Sequence, residues 1–214
     1  MAEAAARREG GLPNGWPVLG IASAGLALMT AIVLGVAGTG EDGVRMLIRA
    51  TARSSVLLFA FAFTASSLRR LWRSELTAWL LRNRRQVGVS FAVSHGIHLL
   101  GIVILARTWP DSFWTDTSLT TVYGGGAGYV FIAAMAATSF DRSAAWLGRR
   151  NWRRLHLTGS WVLWGIFAFS YFGRVAAGVP GPVPAVLSAV LVAAVALRVA
   201  AHLRGRGASG SRGS

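Results

Sequence analysis

Four histidines are the side chains of this 214-residue chain best able to do chemistry, because it contains neither cysteine nor lysine. His95 and His98 stand at i and i+3, so on a helix they share roughly one face. Counted from Arg85 at about 1.5 Å per residue, His98 falls roughly 20 Å into an apolar layer of about 30 Å. A neutral imidazole at that depth ligates metal, haem iron above all, without burying a charge; it serves equally as a hydrogen-bonding link to a neighbouring helix. Both readings are open on the sequence. His156 stands two residues after Arg154, about 3 Å into its apolar run and some 17 Å shallower than His98. Metal–imidazole bonds are about 2 Å, so one haem cannot bridge His98 and His156 unless the helices shift strongly. His202, close to Arg204, reads as an exposed interfacial residue, or else as a partner for His156 at the same end of the bundle. The absent cysteines exclude disulfides, thiolate nucleophiles, cysteine-ligated iron–sulfur clusters and a cysteine zinc site. No acid lies within the apolar runs, which argues against a carboxylate proton relay.

The elements that must position these imidazoles are membrane helices. The chain is 53% hydrophobic and only 14% charged, with a mean hydropathy of +0.49, a balance soluble domains rarely reach. A spanning helix needs about 20 mostly apolar residues, and six such runs occur: Trp16 to Ala37, Leu47 to Leu68, Val87 to Ala106, Thr121 to Phe140, Leu155 to Phe172 and Pro184 to Ala201. The fold expected is all-α, an integral membrane bundle of about six helices over residues 16–203. A cytoplasmic tail (1–15) precedes it and a disordered basic tail (204–214) follows. The first run is too long for a signal peptide and lacks a convincing cleavage site, so it reads as a retained helix. Trp72 and Trp79 suit a short interfacial helix over 71–83, and residues 107–120 read as a polar loop with aromatic anchors. Gly124 and Gly128, four apart, suit close helix packing.

Charge supplies the orientation. The net charge of +14 suggests nucleic acid only until its distribution is seen: the arginines sit in short loops and form no stripe that could track a backbone. With the N-terminus inside, 17 of the 22 arginines fall on the cytoplasmic side, and only Arg45, Arg49, Arg53, Arg107 and Arg174 fall outside. This is the bias of a multi-pass plasma-membrane protein with both termini cytoplasmic. Nucleic acid is therefore not an expected partner, whereas the lipid bilayer is.

The segment Arg84-Arg-Gln-Val-Gly-Val-Ser-Phe-Ala-Val-Ser-His-Gly-Ile-His98 resembles the paired-arginine, glycine and distal-histidine pattern of the ferric reductase-like transmembrane family. That family includes NADPH oxidases and the haem-binding membrane subunit of the bacterial methionine-sulfoxide reductase system. Ala62-Phe-Thr-Ala-Ser-Ser-Leu-Arg-Arg70 is similar to that subunit's second helix end. Thr138-Ser-Phe-Asp-Arg142, Trp146-Leu-Gly and Trp152-Arg-Arg-Leu-His156 are similar to its fourth-to-fifth connection. The resemblance covers roughly residues 45–171. It implies a helical domain carrying haem b, with His98 as an axial ligand and His156 matching the histidine that opens the fifth helix. Electrons would come from a separate cytosolic flavin reductase and leave to a redox protein or quinone at the outer face; this chain holds no flavin or nicotinamide site of its own.

One position departs from the family pattern. Where the family has a further histidine about thirteen residues beyond the one matching His156, this chain has Phe169. Three arrangements would rescue haem binding: His95 and His98 each facing a different partner, Tyr171 as a weak oxygen ligand, or one histidine with an open coordination position. Arg49 and Arg53 on the outer side, and Arg84 and Arg85 on the inner, would steady haem propionates or make ordinary headgroup contacts. The alternative function is a haem-less membrane scaffold or assembly partner derived from the same fold. A transporter lacks support, since no pair of broken helices marks a substrate path.

Overall fold

The computed structural model describes residues 12–210, with side chains to 206. The N-terminal residues 1–11 and the last four, which carry parts of the expected tails, lie outside the described residues. Among the described residues nine helices follow in order: α1 (Trp16–Ala37), α2 (Glu41–Leu71), α3 (Glu75–Arg82), α4 (Arg84–Thr108), α5 (Pro110–Asp116), α6 (Leu119–Ala137), α7 (Asp141–Leu147), α8 (Arg149–Ala176) and α9 (Val183–Gly210). Against the six crossings expected, α1, α2, α4, α6 and α9 are long and apolar enough to cross a membrane. The sixth, α8, has the length at 28 residues, but His156, Thr158, Ser160 and Ser170 dilute its apolar run.

Most helices outrun the apolar stretches that announce them, because backbone hydrogen bonding continues into charged residues that the lipid core would reject. Helix α2 starts at Glu41, with Glu41 and Asp42 in its first turn and Arg69 and Arg70 in its last, each placed favourably for the helix dipole. Helix α9 continues to Gly210, through residues expected to be disordered. A short helix, α3, stands where the interfacial one is expected, opened by a capping box in which the Ser74 hydroxyl accepts from the Thr77 amide. The expected polar loop folds instead as α5. Pro110 fits its first turn, and Phe113 is buried against Val44 and Leu105.

Helix α2 is the axis of the bundle and packs against α1, α3, α4 and α9, while α8 packs against α6 and α9. The core between them is aromatic, with Phe59 and Phe63 of α2, Phe91 of α4 and Phe167 of α8 in mutual ring contact. Lipid tails are as apolar as leucine, so close packing and interhelical hydrogen bonds hold such helices together more than the hydrophobic effect does. Gly128 serves this purpose, since a Cβ there would press on Ile166 at 3.1 Å; Gly124 faces open space, so only one of the pair packs.

The arginine-rich segments gather at one end. Trp79 Nε1 donates to the Pro13 carbonyl at 2.7 Å, Arg85 pairs with Asp141 at 2.6 Å, and Arg204 donates to the Leu71 carbonyl at 3.1 Å. These bonds join the N-terminal entry, the 71–85 turn, the 138–149 turn and the end of α9. At the other end Arg45 binds Glu41 at 2.8 Å, Asp116 at 2.9 Å and the Ser112 hydroxyl at 2.6 Å, and Ser112 also donates to Glu41.

Candidate functional site

The four histidines occupy three places. His95 and His98 sit together in the arginine-poor half, His156 lines a cavity in the arginine-rich half, and His202 is exposed on α9 near Arg204. The described structure does not bring His156 and His98 together.

His98 belongs to a polar seam between α2 and α4. Its Nδ1 lies 2.9 Å from the Ile48 carbonyl and 3.3 Å from the Thr51 hydroxyl. A carbonyl only accepts, so the bond to Ile48 assigns the proton to Nδ1 and leaves the lone pair of the neutral ring on Nε2. One turn away, Ser55 donates to Ser94 at 2.9 Å, Ser94 donates to the Thr51 carbonyl at 3.2 Å, and the Ser54 hydroxyl lies 2.9 Å from Ser94. Thr51, Ser55 and Ser94 are fully buried. The sequence reading passed over these hydroxyls; their signal was small polar residues recurring at four-residue spacing within apolar runs.

His95 stacks on His98 with ring centroids 4.9 Å apart and planes 29° apart. Ring nitrogens direct their lone pairs in the ring plane, so two nearly parallel imidazoles at this spacing do not converge on one ion. Phe91, Tyr129 and Phe167 close in on His95 at 5.5, 5.0 and 5.7 Å. His95 Nδ1 and the Tyr129 hydroxyl are both buried and have no hydrogen-bond partner among the described residues. Across from His95 on α8 stands Phe167, while Phe169 is 74% exposed and points away from the bundle. A histidine at 169 would therefore face away from α4 in this packing. Tyr171 is buried in the aromatic core with the Arg174 guanidinium 5.8 Å over its ring. Arg49 and Arg53 are exposed on α2.

A six-coordinate haem needs two imidazoles on opposite sides of a gap wide enough for the porphyrin. The surroundings of His95 and His98 do not fit that requirement: the second imidazole is stacked beside the first, and the facing helix presents phenyl rings. Among the described residues no group of three or more His, Asp or Glu side chains could hold a metal ion.

The cavity, of about 490 Å³, opens among α2, α4, α6 and α8 in the arginine-rich half. Phe59, Phe63, Phe91, Ile132 and Leu163 line its buried part; Arg82, Arg84, Arg85, Asp141 and His156 supply its charged and titratable lining. The His156 ring stacks on Trp152 at 4.1 Å, and its Nε2 lies 3.2 Å from the Thr138 hydroxyl. Arg84 donates from Nε to the Ala62 carbonyl at 2.9 Å. His156, Arg84 and Arg85 thus share one cavity, which contains neither His95 nor His98.

No family model matches this chain, and no curated protein or solved structure matches it either. The resemblance to the ferric reductase-like family rests on its short motifs alone, and what the structure adds is an all-helical bundle with five helices fit to cross a membrane.

Proposed function

We propose that this chain is a haem-less membrane scaffold or assembly partner, a six-crossing plasma-membrane bundle with its arginine-rich end in the cytoplasm. The observation carrying this reading is the seating of His98. Its Nδ1 is bonded to α2, its ring is stacked on His95, and α8 answers with Phe167 where a second ligand would stand. The imidazole then works as a link between helices, together with Ser54, Ser55 and Ser94. Helix α8 supplies the sixth crossing because it packs between α6 and α9, both apolar enough to span, and short connections lead to each. Four arginines crowd the first two turns of α8, an excess of positive charge that suits a cytoplasmic helix end.

A second reading keeps the haem b electron-transfer subunit of the ferric reductase-like type, fed by a cytosolic flavin reductase and discharging to a redox protein or quinone outside. One observation favours it: the Nδ1–H of His98 bound to a carbonyl is the arrangement that orients an imidazole to ligate through Nε2. In that reading His98 would be the residue that holds the group, through its Nε2. An absorption spectrum of the chain purified after expression with ample haem, oxidised and then dithionite-reduced, separates the two. The scaffold reading expects no Soret band; a Soret band lost in His98→Ala overturns it.

A further inference from the structure

In the arginine-rich half of the bundle the half-buried arginines Arg84, Arg85 and Arg198, with the exposed Arg82 beside them, outnumber the carboxylates near them. Around the cavity stand Arg82, Arg84 and Arg85, against a single carboxylate, Asp141. Asp141 is almost fully exposed and is engaged by Arg85 from the rim. Arg85 Nε is buried and has no hydrogen-bond partner among the described residues. Arg84 is half-buried and, among the described residues, pairs with no carboxylate; its Nε reaches a carbonyl oxygen of α2. Arg198 of α9 converges on the next residue of α2, donating to the Phe63 carbonyl at 2.8 Å and lying 4.2 Å over the Phe63 ring. Backbone carbonyls and ring faces offset part of the cost of holding guanidinium groups in an apolar layer, but they bring no negative charge.

The cavity beside these arginines is amphipathic in the sense a lipid is. Its depth is lined by phenyl rings and aliphatic side chains, and its mouth by guanidinium groups, Thr138, Ser139 and His156. Guanidinium forks match phosphate oxygens, and basic pockets between membrane helices on the cytoplasmic side are suited to lipid headgroups. We propose that this cavity binds a phosphate-bearing anionic amphipath, with the phosphate between Arg84 and Arg85 and the start of one acyl chain against Phe59, Phe63 and Phe91. The occupant is a membrane phospholipid, since free inorganic phosphate carries no chain to fill the apolar depth.

Native mass spectrometry of the full chain in mild detergent, offered equal amounts of phosphatidylglycerol and phosphatidylcholine, tests this directly. Phosphatidylglycerol is expected to be retained over phosphatidylcholine, with binding about fivefold weaker once Arg84→Gln removes one cation. Gly88→Leu tests the volume with every charge kept, because a Cβ at Gly88, which lines the cavity, meets nothing within 4 Å. It should abolish the preference, while Arg150→Gln and Arg153→Gln, outside the cavity, should leave it. Millimolar inorganic phosphate should leave the lipid adduct in place; displacement of the lipid by phosphate would show a site that reads phosphate alone and would overturn the amphipath. Equal retention of the two lipids overturns the proposal, as does a preference that survives Gly88→Leu or follows the α8 arginines instead. Should Arg84→Gln fail to fold, Gly88→Leu decides alone.

Discussion

At the residue scale the main finding is that a histidine pair with the spacing of a ligand site is built into a hydroxyl seam. Ser94 is the centre of that seam, accepting from Ser55 and donating to the Thr51 carbonyl. Interhelical hydrogen bonds in a membrane are worth roughly 0.6 kcal/mol on average and about 1.7 at most, so Ser94→Ala should cost about 1–2 kcal/mol. Thermal unfolding in detergent reads this, and a loss within error of zero would remove the seam from the account. The orientation of α8 gives a sharper test. Phe167→His should place an imidazole across from His95, so that these two can share an ion without His98, and raise zinc affinity by about tenfold or more, given metal–nitrogen bonds of about 2 Å. Phe169→His should leave affinity at the wild-type value because its side chain faces away. Competition against a zinc-sensitive dye measures both, and the reverse order would show that α8 is rotated.

At the element scale, close approach is concentrated at a few glycines. A Cβ at Gly43 would collide with the Gly38 carbonyl in the turn that joins α1 to α2, where no flexible side chain can yield. Gly43→Ala should therefore displace that turn and destabilise the bundle by about 1–3 kcal/mol, the usual range for overpacking. Gly101 lies on α4 against the Ile48 side chain, 2.9 Å from where its Cβ would stand. Gly101→Leu should push α4 from α2 and weaken the His98 bond to the Ile48 carbonyl, whereas Gly20→Leu, at a position with open space around it, should be silent. Unfolding midpoints of the three variants compared side by side check the ranking; a Gly20→Leu cost as large as that of Gly101→Leu would contradict the packing.

At the scale of the whole molecule, one end of the bundle is cationic and tied together, while the other is closed by the Arg45, Glu41, Ser112 and Asp116 cluster. The absence of native cysteine makes the topology directly measurable. Single cysteines at Thr77 and Asn151 should react with a membrane-impermeant maleimide only from the cytoplasmic face, and one at Thr117 only from outside. Opposite labelling of Thr77→Cys and Asn151→Cys would break the arrangement, since the Arg85–Asp141 pair places their two turns at the same end.

The sequence by itself determined the class of the molecule. Apolar runs of spanning length are a one-dimensional property, legible without knowing any neighbour, and so is the arginine bias on which the proposed orientation rests. The run from Trp16 to Ala37 is a helix with those same ends, and a short helix stands between the second and third runs. Helix ends inside charged segments were less legible, because hydrophobicity marks where lipid ends and not where hydrogen bonding stops. The rotation of each helix about its axis was beyond the sequence altogether. Whether His98 meets a second imidazole or the Ile48 carbonyl depends on that rotation, as does whether residue 167 or 169 faces α4. A shift of two residues turns a helical side chain by more than half a circle. Only the packing of α2, α4, α6 and α8 against one another decided that His98 joins a seam, that Phe169 faces outward and that His156 shares a cavity with Arg84 and Arg85.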